Sequence, residues 1–131
     1  MLFRSTESVS RQGRWALLKI TAASEHMHIV NIYSPSESKC AREEFFSTIK
    51  NKFEHLTNLI IAGDWNFVPE DIDAISGAQL VDPVEHPEAL ELYDHLELED
   101  LLRAYDANVI TITFRHVNGN YKARQIGRAH V

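Results

Sequence analysis

Residues 59–66 read Leu59-Ile60-Ile61-Ala62-Gly63-Asp64-Trp65-Asn66 and contain the strongest structural signal in the chain. The first four form a short continuous apolar run, which is typical of a β-strand buried on both faces. Gly63 ends the run, and the polar side chains of Asp64 and Asn66 follow it. Because strands of this kind belong to sheets covered by helices, the segment predicts an α/β protein.

The sequence before this strand predicts a hairpin and then a helix. Residues 4–13 are polar and predict a link without a core of its own. Residues 14–21 and 28–33 are β-like, and the turn between them predicts an antiparallel pair. Ser36 is a candidate cap for the helix that follows. Apolar residues then recur at steps of four, four and three, which indicates an amphipathic helix; they are Phe45, Ile49, Phe53 and Leu56.

The sequence after the strand predicts a loop, a second helix and a second hairpin. Residues 68–84 have the composition of an irregular loop, and Pro87 suits the first turn of a helix. Residues 109–116 alternate apolar and polar side chains, and an Asn-Gly turn joins them to residues 121–124. The element order therefore predicts an α/β layered sandwich with mixed β-sheets.

The net charge of −6 is unevenly distributed along the 131 residues. From Asp64 to Asp106 there are 13 acidic residues and one basic residue, whereas the remainder has six acidic and 12 basic residues. This distribution disfavours a uniformly basic nucleic-acid-binding surface. An acidic site with basic flanks is compatible with metal-dependent phosphate chemistry.

The apolar runs and the cysteine content of the sequence indicate the cellular compartment of the protein. No apolar run has the length of a transmembrane helix, and the first residues lack the apolar stretch of a secretory signal. Cys40 is the single cysteine, which excludes an internal disulfide and a cysteine zinc cluster. We therefore expect an intracellular protein without a membrane partner.

Asp64 and Asn66 are the first candidates for chemistry. They follow a buried strand, and active sites of α/β sheets favour the carboxyl ends of strands. Phosphodiester hydrolysis needs a carboxylate that takes a proton from water or holds a metal, and a neutral donor that orients a phosphate oxygen. The pair fits these two roles. A purely structural Asx-turn at the end of the strand explains the same residues equally well.

Two aromatic residues near these positions have open roles. Tyr33 ends the preceding predicted strand, on the same face as Asn31, and its phenol is a candidate donor to a scissile phosphate. Packing beside the strand end is the commoner fate of a single tyrosine. For Trp65, stacking on a nucleobase and a place in the core are both open.

Several motifs occur along the chain in a distinctive order. They are Gly13-Arg14, Asn31-x-Tyr33-x-Pro35, Phe45-Phe46, Gly63-Asp64-Trp65-Asn66, Asp73, Thr113-Phe114 and Arg124. In this order they resemble the endonuclease/exonuclease/phosphatase family, and most closely the endonuclease domains of non-LTR retrotransposons, particularly fungal ones. The resemblance extends over residues 2–124.

The resemblance implies a four-layer α/β sandwich and Mg²⁺-dependent cleavage of phosphodiesters. For the retrotransposon branch it implies nicking of DNA and a nuclear location. Carried over to this sequence, Asp64 is expected to activate or align the attacking water and Asn66 to bind the scissile phosphate. Tyr33 is expected to support the phosphate or the leaving group. Asn31 and Arg124 match positions that we expect to bind substrate.

Departures from the family pattern limit this expectation. The family's early asparagine and metal-binding glutamate precede the first residue of this chain, and its final Asp-His pair is expected beyond the last. Ile126 replaces the aspartate expected two residues after Arg124, and Ala74 replaces an arginine beside Asp73. Residues 125–131 match the translation of a common sequencing adapter. We therefore predict a partial domain over residues 1–124, an adapter-derived tail over 125–131, and a chain without catalytic activity.

Two other functions remain open at the level of sequence. The same fold acts on abasic DNA, RNA or phosphoinositides, because one hydrolytic core serves several substrates in this family. A non-catalytic interaction protein is the alternative from a different class. That alternative predicts binding of DNA or of a protein partner without Mg²⁺.

Overall fold

The computed structural model describes residues 3–66, 74–76, 87–100, 104–106, 114–115, 122–123 and 128–130. Within these ranges the chain forms nine strands and two helices. The strands are β1 (Phe3–Val9), β2 (Trp15–Ala22), β3 (Glu25–Tyr33), β4 (Leu59–Asp64), β5 (Ala74–Ser76), β6 (Leu98–Glu99), β7 (Phe114–Arg115), β8 (Lys122–Ala123) and β9 (Arg128–His130). The helices are α1 (Lys39–Phe53) and α2 (Pro87–His95).

The larger sheet is mixed and has the strand order β1-β2-β3-β4-β9-β6. Strands β3 and β4 are parallel, whereas the other neighbours in this sheet are antiparallel. Helix α1 connects β3 to β4, as a parallel pair requires a crossover connection. Strands β5, β8 and β7 form a second, antiparallel sheet. The predicted α/β class with mixed sheets is confirmed.

The amino-terminal segment corrects the first prediction. Residues 4–13 were expected to form a link, but Phe3–Val9 is a strand that pairs with β2 from Phe3↔Ala22 to Val9↔Ala16. The side chains of residues 4–9 are exposed, and β1 is an edge strand of the sheet. A strand that buries neither face carries no apolar alternation, so the sequence pattern did not reveal it.

Helix α1 forms where the apolar spacing predicts it, with a different cap. The Oγ atom of Ser38 accepts a hydrogen bond from the N–H of Ala41 at 3.1 Å, so Ser38 is the N-cap and the prediction of Ser36 was wrong. Leu56 lies beyond the last helical residue and is partly buried. The helix buries four side chains against the sheet: Phe45, Phe46, Ile49 and Phe53.

The core lies on one face of the larger sheet, beneath the two helices. Leu59 and Ile61 of β4 are buried there, whereas Ile60 and Ala62 are only partly buried. The predicted burial on both faces of β4 is therefore complete on the helix-covered face and partial on the other. Because successive side chains point to opposite faces, a single helical layer covers only every second residue.

The two helices also contact each other through ion pairs. The Lys50 ammonium lies 3.0 Å from the Glu91 carboxylate, and His95 Nε2 lies 2.9 Å from Glu54 Oε2. Helix α2 begins at Pro87, which confirms its predicted start. Neither described helix is long and apolar enough to cross a membrane.

The structure describes only some of the residues on which the carboxyl-terminal predictions fall. Strand β5 lies inside residues 68–84, which were expected to be an irregular loop. The predicted second hairpin is represented by the antiparallel pair of β7 and β8, with Phe114 opposite Ala123. Strand β9 belongs to the segment set aside as an adapter-derived tail, and its residues pair with both β4 and β6. The origin of residues 125–131 stays a prediction.

Candidate active site

The carboxyl ends of β3 and β4 bring the principal candidates together. The two strands run parallel, and Tyr33 lies directly opposite Asp64 in their register. Paired residues of neighbouring strands share a face of the sheet, so both side chains leave the face opposite α1. This edge is where α/β sheets place their ligand-binding groups.

Gly63 allows the two strand ends to approach. Its φ angle is 126°, a conformation that L-residues with a side chain rarely adopt. A Cβ atom at this position would lie 2.0 Å from the carbonyl oxygen of Ile32 and 2.8 Å from its nitrogen. Glycine is therefore required immediately before Asp64 for the observed spacing of the strands.

Three hydrogen bonds fix the residues beyond β4. The Asn66 N–H donates to Asp64 Oδ1 at 2.9 Å, and the Asn66 amide Nδ2 donates to the Ser34 carbonyl oxygen. The Ser34 N–H in turn donates to the Asp64 carbonyl oxygen at 2.8 Å. Asn66 adopts a φ angle of 51°, in the left-handed region that asparagine tolerates. The segment after β4 is thus tied to the segment after β3.

This geometry contains the Asx-turn that the sequence left open as a structural alternative. The turn uses one carboxylate oxygen of Asp64 and the backbone N–H of Asn66. The hydrogen bond to the Ser34 carbonyl oxygen uses one N–H of the Asn66 side chain. A carboxylate has a second oxygen, and a side-chain amide has a second N–H and a carbonyl oxygen. The turn therefore holds both residues in place and leaves polar atoms for a ligand.

Tyr33 is half exposed, at 50% of its accessible surface. Its backbone N–H donates to the carbonyl oxygen of Arg14 at 2.7 Å, which aligns the start of β2 with the end of β3. The Arg14 guanidinium carbon lies 4.8 Å from the centroid of the Tyr33 ring. Arg14 Nη2 donates to Glu37 Oε1 at 2.7 Å.

The Glu37 carboxylate is stabilised in its charged form. Its pKa lies below the ordinary value of a glutamate, first because its own backbone N–H donates to it, and then because of the Arg14 guanidinium. Desolvation opposes this effect. The Arg14–Glu37 pair is therefore an ion pair at neutral pH.

Of the remaining residues predicted for the site, the structure places one beside the strand ends. Asn31 lies two residues before Tyr33 on the same face of β3, and its Oδ1 atom would lie 2.9 Å from a Cβ atom placed on Gly63. It is exposed and adjoins the strand end. Arg124 and Asp73 lie outside the described residues.

Trp65 belongs to the core, which decides between its two possible roles. Its side chain has 0% exposure and stacks on Phe46 with a centroid distance of 5.8 Å and an interplanar angle of 22°. The ring of Tyr93 in α2 meets the indole in an edge-on arrangement, with a centroid distance of 5.5 Å. A fully buried indole cannot stack on a nucleobase, so that possibility is excluded.

An open cleft of about 500 Å³ adjoins Arg14 and Glu37. It lies between the β1–β2 turn and helix α1, with Trp15 and Phe45 among its apolar residues and Gln12 and Glu44 among its polar ones. Asp64 and Asn66 do not line it. The cleft and the candidate site therefore meet at the Arg14–Glu37 pair.

Two residues at the end of β4 carry oxygen atoms of the kind that can bind Mg²⁺. Carboxylate and amide oxygens are ligands that suit Mg²⁺, and Mg²⁺ often binds through one or two carboxylates and the phosphates of its substrate. Asp64 and Asn66 supply such oxygens at the strand end. Among the residues placed by the structure, no three His, Cys, Asp or Glu side chains come together as a metal-binding group.

Sequence reasoning missed the functions of Ser34 and Glu37 and included Arg14 only within a motif. Ser34 joins the two strand ends through its backbone, which no side-chain pattern reports. Glu37 and Arg14 are 23 positions apart and meet because the hairpin places Arg14 beside Tyr33. The sequence did offer one indication for Arg14. If the antiparallel pairing of the predicted hairpin is continued to its end, Arg14 falls beside Tyr33.

Comparisons with known proteins establish the fold. No protein-family model and no curated protein matches the sequence. The endonuclease domain of TRAS1, a telomere-specific non-LTR retrotransposon, is similar in structure, with a TM-score of 0.64, 16% identity, and coverage of 97% of this chain and 56% of that one. The human Nocturnin catalytic domain is similar with a TM-score of 0.55, 9% identity, and coverage of 98% and 48%.

The chain spans about half the length of these solved structures. At such low sequence identities the likeness concerns the fold. The chain has an α/β fold similar to those of the TRAS1 endonuclease domain and the human Nocturnin catalytic domain.

Proposed function

We propose that Tyr33, Asp64 and Asn66 form the phosphodiester-binding part of a Mg²⁺-dependent endonuclease domain that nicks DNA in the nucleus, as in non-LTR retrotransposons. The observation that carries this proposal is the geometry of the strand ends. Tyr33 faces Asp64 in the parallel register, and Asn66 is hydrogen-bonded to both strand ends. The fold shared with the TRAS1 endonuclease domain supports it.

The three side chains supply complementary chemistry for hydrolysis of a phosphodiester. The Asp64 carboxylate accepts the proton of a water molecule that attacks phosphorus. The second N–H of the Asn66 amide donates to a nonbridging phosphate oxygen as negative charge develops there. The Tyr33 phenol donates a hydrogen bond to the phosphate or to the departing oxygen. Bound Mg²⁺ supplies Lewis-acid stabilisation of the phosphate charge, with Asp64 and Asn66 as its candidate ligands.

Charge on the neighbouring hairpin favours a nucleic-acid substrate. Residues 3–22 contain four basic residues and one acidic residue, in contrast to the acidic second half of the chain. Basic side chains beside the site neutralise the phosphates that flank the scissile bond, which supplies most of the nonspecific affinity for DNA. Of these residues, Arg14 is hydrogen-bonded to Tyr33 and Arg11 precedes it in the β1–β2 turn. Lys19 pairs with His28 and Arg4 with Thr21, farther from the strand ends.

We further propose that the chain as written binds DNA without cleaving it. The family resemblance calls for an aspartate where Ile126 stands, and for an early glutamate and a late Asp-His pair that none of the motifs found in this sequence matches. These groups complete the metal site and stabilise the transition state in the family pattern. Binding through the strand ends does not require them.

The test measures the binding of a fluorescent DNA duplex, with Mg²⁺ or EDTA, to the chain and to its Asp64→Asn variant. We expect affinity that falls with salt and is strengthened by Mg²⁺ in the unmodified chain, with the Mg²⁺ effect lost in Asp64→Asn. Asp94→Asn removes an exposed carboxylate from α2 and is the matched control, because it leaves the strand ends intact. A supercoiled plasmid should remain unnicked.

Competition with RNA, with abasic DNA and with a soluble inositol phosphate distinguishes the alternative substrates. Displacement by intact DNA at the lowest concentration supports the proposed substrate. Binding that is indifferent to both Mg²⁺ and Asp64→Asn contradicts the proposal and favours a non-catalytic interaction protein.

A further inference from the structure

We propose that Arg14, held by Glu37, is a positioning residue that fixes the Tyr33 side chain at the candidate site. Three contacts carry this inference. The Arg14 guanidinium lies 4.8 Å from the Tyr33 ring centroid, Arg14 Nη2 donates to Glu37 Oε1 at 2.7 Å, and Tyr33 N–H donates to the Arg14 carbonyl oxygen at 2.7 Å. The role of Tyr33 toward phosphate rests on the proposed function, whereas the restraint on its ring does not.

Tyr33 needs such a restraint because of its place in the sheet. It is the last residue of β3 and half exposed, so the core does not fix its ring. A tyrosine in this position exchanges among staggered rotamers unless a neighbour covers one face of the ring. A guanidinium is planar and weakly hydrated, which makes it suitable for stacking on an aromatic ring.

Arg14 can serve this purpose because it is itself fixed at both ends. Its backbone N–H donates to Ser10 Oγ at 2.9 Å, within the β1–β2 turn. Its guanidinium is held by the Glu37 carboxylate, to which Nη2 donates. The order of contacts is therefore Glu37, Arg14, Tyr33, and then Asp64 opposite Tyr33 in the register.

The contact differs from the other cation–ring pair in the described residues. The Lys52 ammonium lies 5.3 Å from the Trp15 ring centroid, on the helix-covered side of the sheet and away from Asp64. Lys52→Ala therefore removes a cation from an aromatic ring without touching the candidate site. Arg42→Ala is the control for charge, because it removes one arginine near the start of α1.

The first experiment measures the χ1 rotamer of Tyr33 by three-bond NMR couplings in tyrosine-labelled protein. The unmodified chain, Lys52→Ala and Arg42→Ala should give the couplings of a single rotamer. Arg14→Ala should give averaged couplings, and Arg14→Lys should not restore the single rotamer because an ammonium does not stack as a guanidinium does. Glu37→Gln should give an intermediate result. Unchanged couplings in a folded Arg14→Ala variant would overturn the inference.

The second experiment asks whether Arg14 acts through Tyr33 or contacts DNA directly. Arg14→Ala should weaken binding of the DNA duplex about two- to tenfold beyond the effect of Arg42→Ala, as expected for a lost cation–ring contact. In a Tyr33→Ala background this extra loss should disappear, because the two substitutions then remove the same interaction. An undiminished loss in that background would show direct phosphate contact and overturn the positioning role.

The two experiments separate the inference from the proposed function. If the unmodified chain binds no DNA, the proposed function fails, and the NMR couplings still decide whether Arg14 positions Tyr33. Thermal unfolding of each variant verifies that a change in couplings comes from a folded chain.

Discussion

At the scale of single residues, two glycines illustrate how the same conformational freedom serves different purposes. Gly13 and Gly63 both have positive φ angles, of 68° and 126°. A Cβ at Gly13 would meet nothing within 4 Å, whereas a Cβ at Gly63 would overlap the backbone of Ile32. Gly13 is therefore needed only for the turn, and Gly63 is needed for both its conformation and the approach of β4 to β3.

This difference predicts unequal effects of the same substitution. Gly63→Ala should lower the free energy of unfolding by more than about 3 kcal/mol, because strain and a backbone clash add. Gly13→Ala should lower it by about 1 kcal/mol, the cost of a left-handed residue with a side chain. Urea denaturation followed by circular dichroism measures both values. Equal losses would contradict the assigned role of Gly63.

The Glu37 carboxylate predicts a pH dependence of the Arg14–Glu37 pair. Because the pKa of Glu37 is lowered in the folded chain, the pair stabilises the fold above the unfolded pKa and is lost as pH falls through the folded pKa. An NMR titration of the side-chain carboxyl carbon should show a midpoint below that of an ordinary glutamate. In Arg14→Ala the midpoint should rise but stay lowered, since the Glu37 backbone N–H still donates. A midpoint at the ordinary glutamate value in the unmodified chain would contradict this assignment.

At the scale of elements, the N-cap of α1 is Ser38 and not Ser36, the candidate that the sequence suggested. Ser38→Ala should destabilise the chain by about 1 kcal/mol, because the Ala41 N–H loses its acceptor. Ser36→Ala should have little effect, since Ser36 contributes its backbone oxygen, which accepts a hydrogen bond from Arg42. Thermal or urea unfolding of the two variants measures this difference. A larger loss in Ser36→Ala would restore the original sequence prediction.

The elements that the sequence revealed are those with one buried face. In helix α1 the apolar residues recur with the helical period, and in β3 every second residue from His28 to Ile32 is buried. These elements therefore follow the periods of their own geometry. Strand β1 lacks this information, because its pairing with β2 depends on backbone hydrogen bonds and its side chains are exposed. The run in β4 overstated burial because apolar residues also occupy its less covered face.

The residues of the candidate site likewise divide into those that the sequence pattern predicted and those that it did not. Asp64, Asn66 and Tyr33 were identified because polar residues at the ends of predicted strands are expected to meet. Arg14 and Glu37 were not assigned a role, because their contact depends on the hairpin register and on the path of residues 34–38. Contacts between positions so far apart in sequence depend on the three-dimensional fold, and no local sequence pattern predicts them.

At the scale of the whole molecule, Trp65 joins α1, α2 and the end of β4. Trp65→Ala should cost about 3–5 kcal/mol, because it empties a fully buried site between Phe46 and Tyr93. Tyr105→Ala is the matched control, since this aromatic ring is 92% exposed, and it should change stability by less than about 0.5 kcal/mol. The midpoint of urea denaturation measures both. A small loss for Trp65→Ala would contradict its place in the core.

The hydrogen bonds between the two strand ends make the site a reporter of folding. The Ser34 N–H donates to the Asp64 carbonyl oxygen across a crossover that includes all of α1. Its exchange with solvent deuterium therefore requires the whole β3–α1–β4 unit to open, whereas helical amides can exchange by local fraying. The protection factor of the Ser34 amide thus reports the assembly of the site. A ligand that binds only when the strand ends are hydrogen-bonded to each other will slow the exchange of this amide as its occupancy rises.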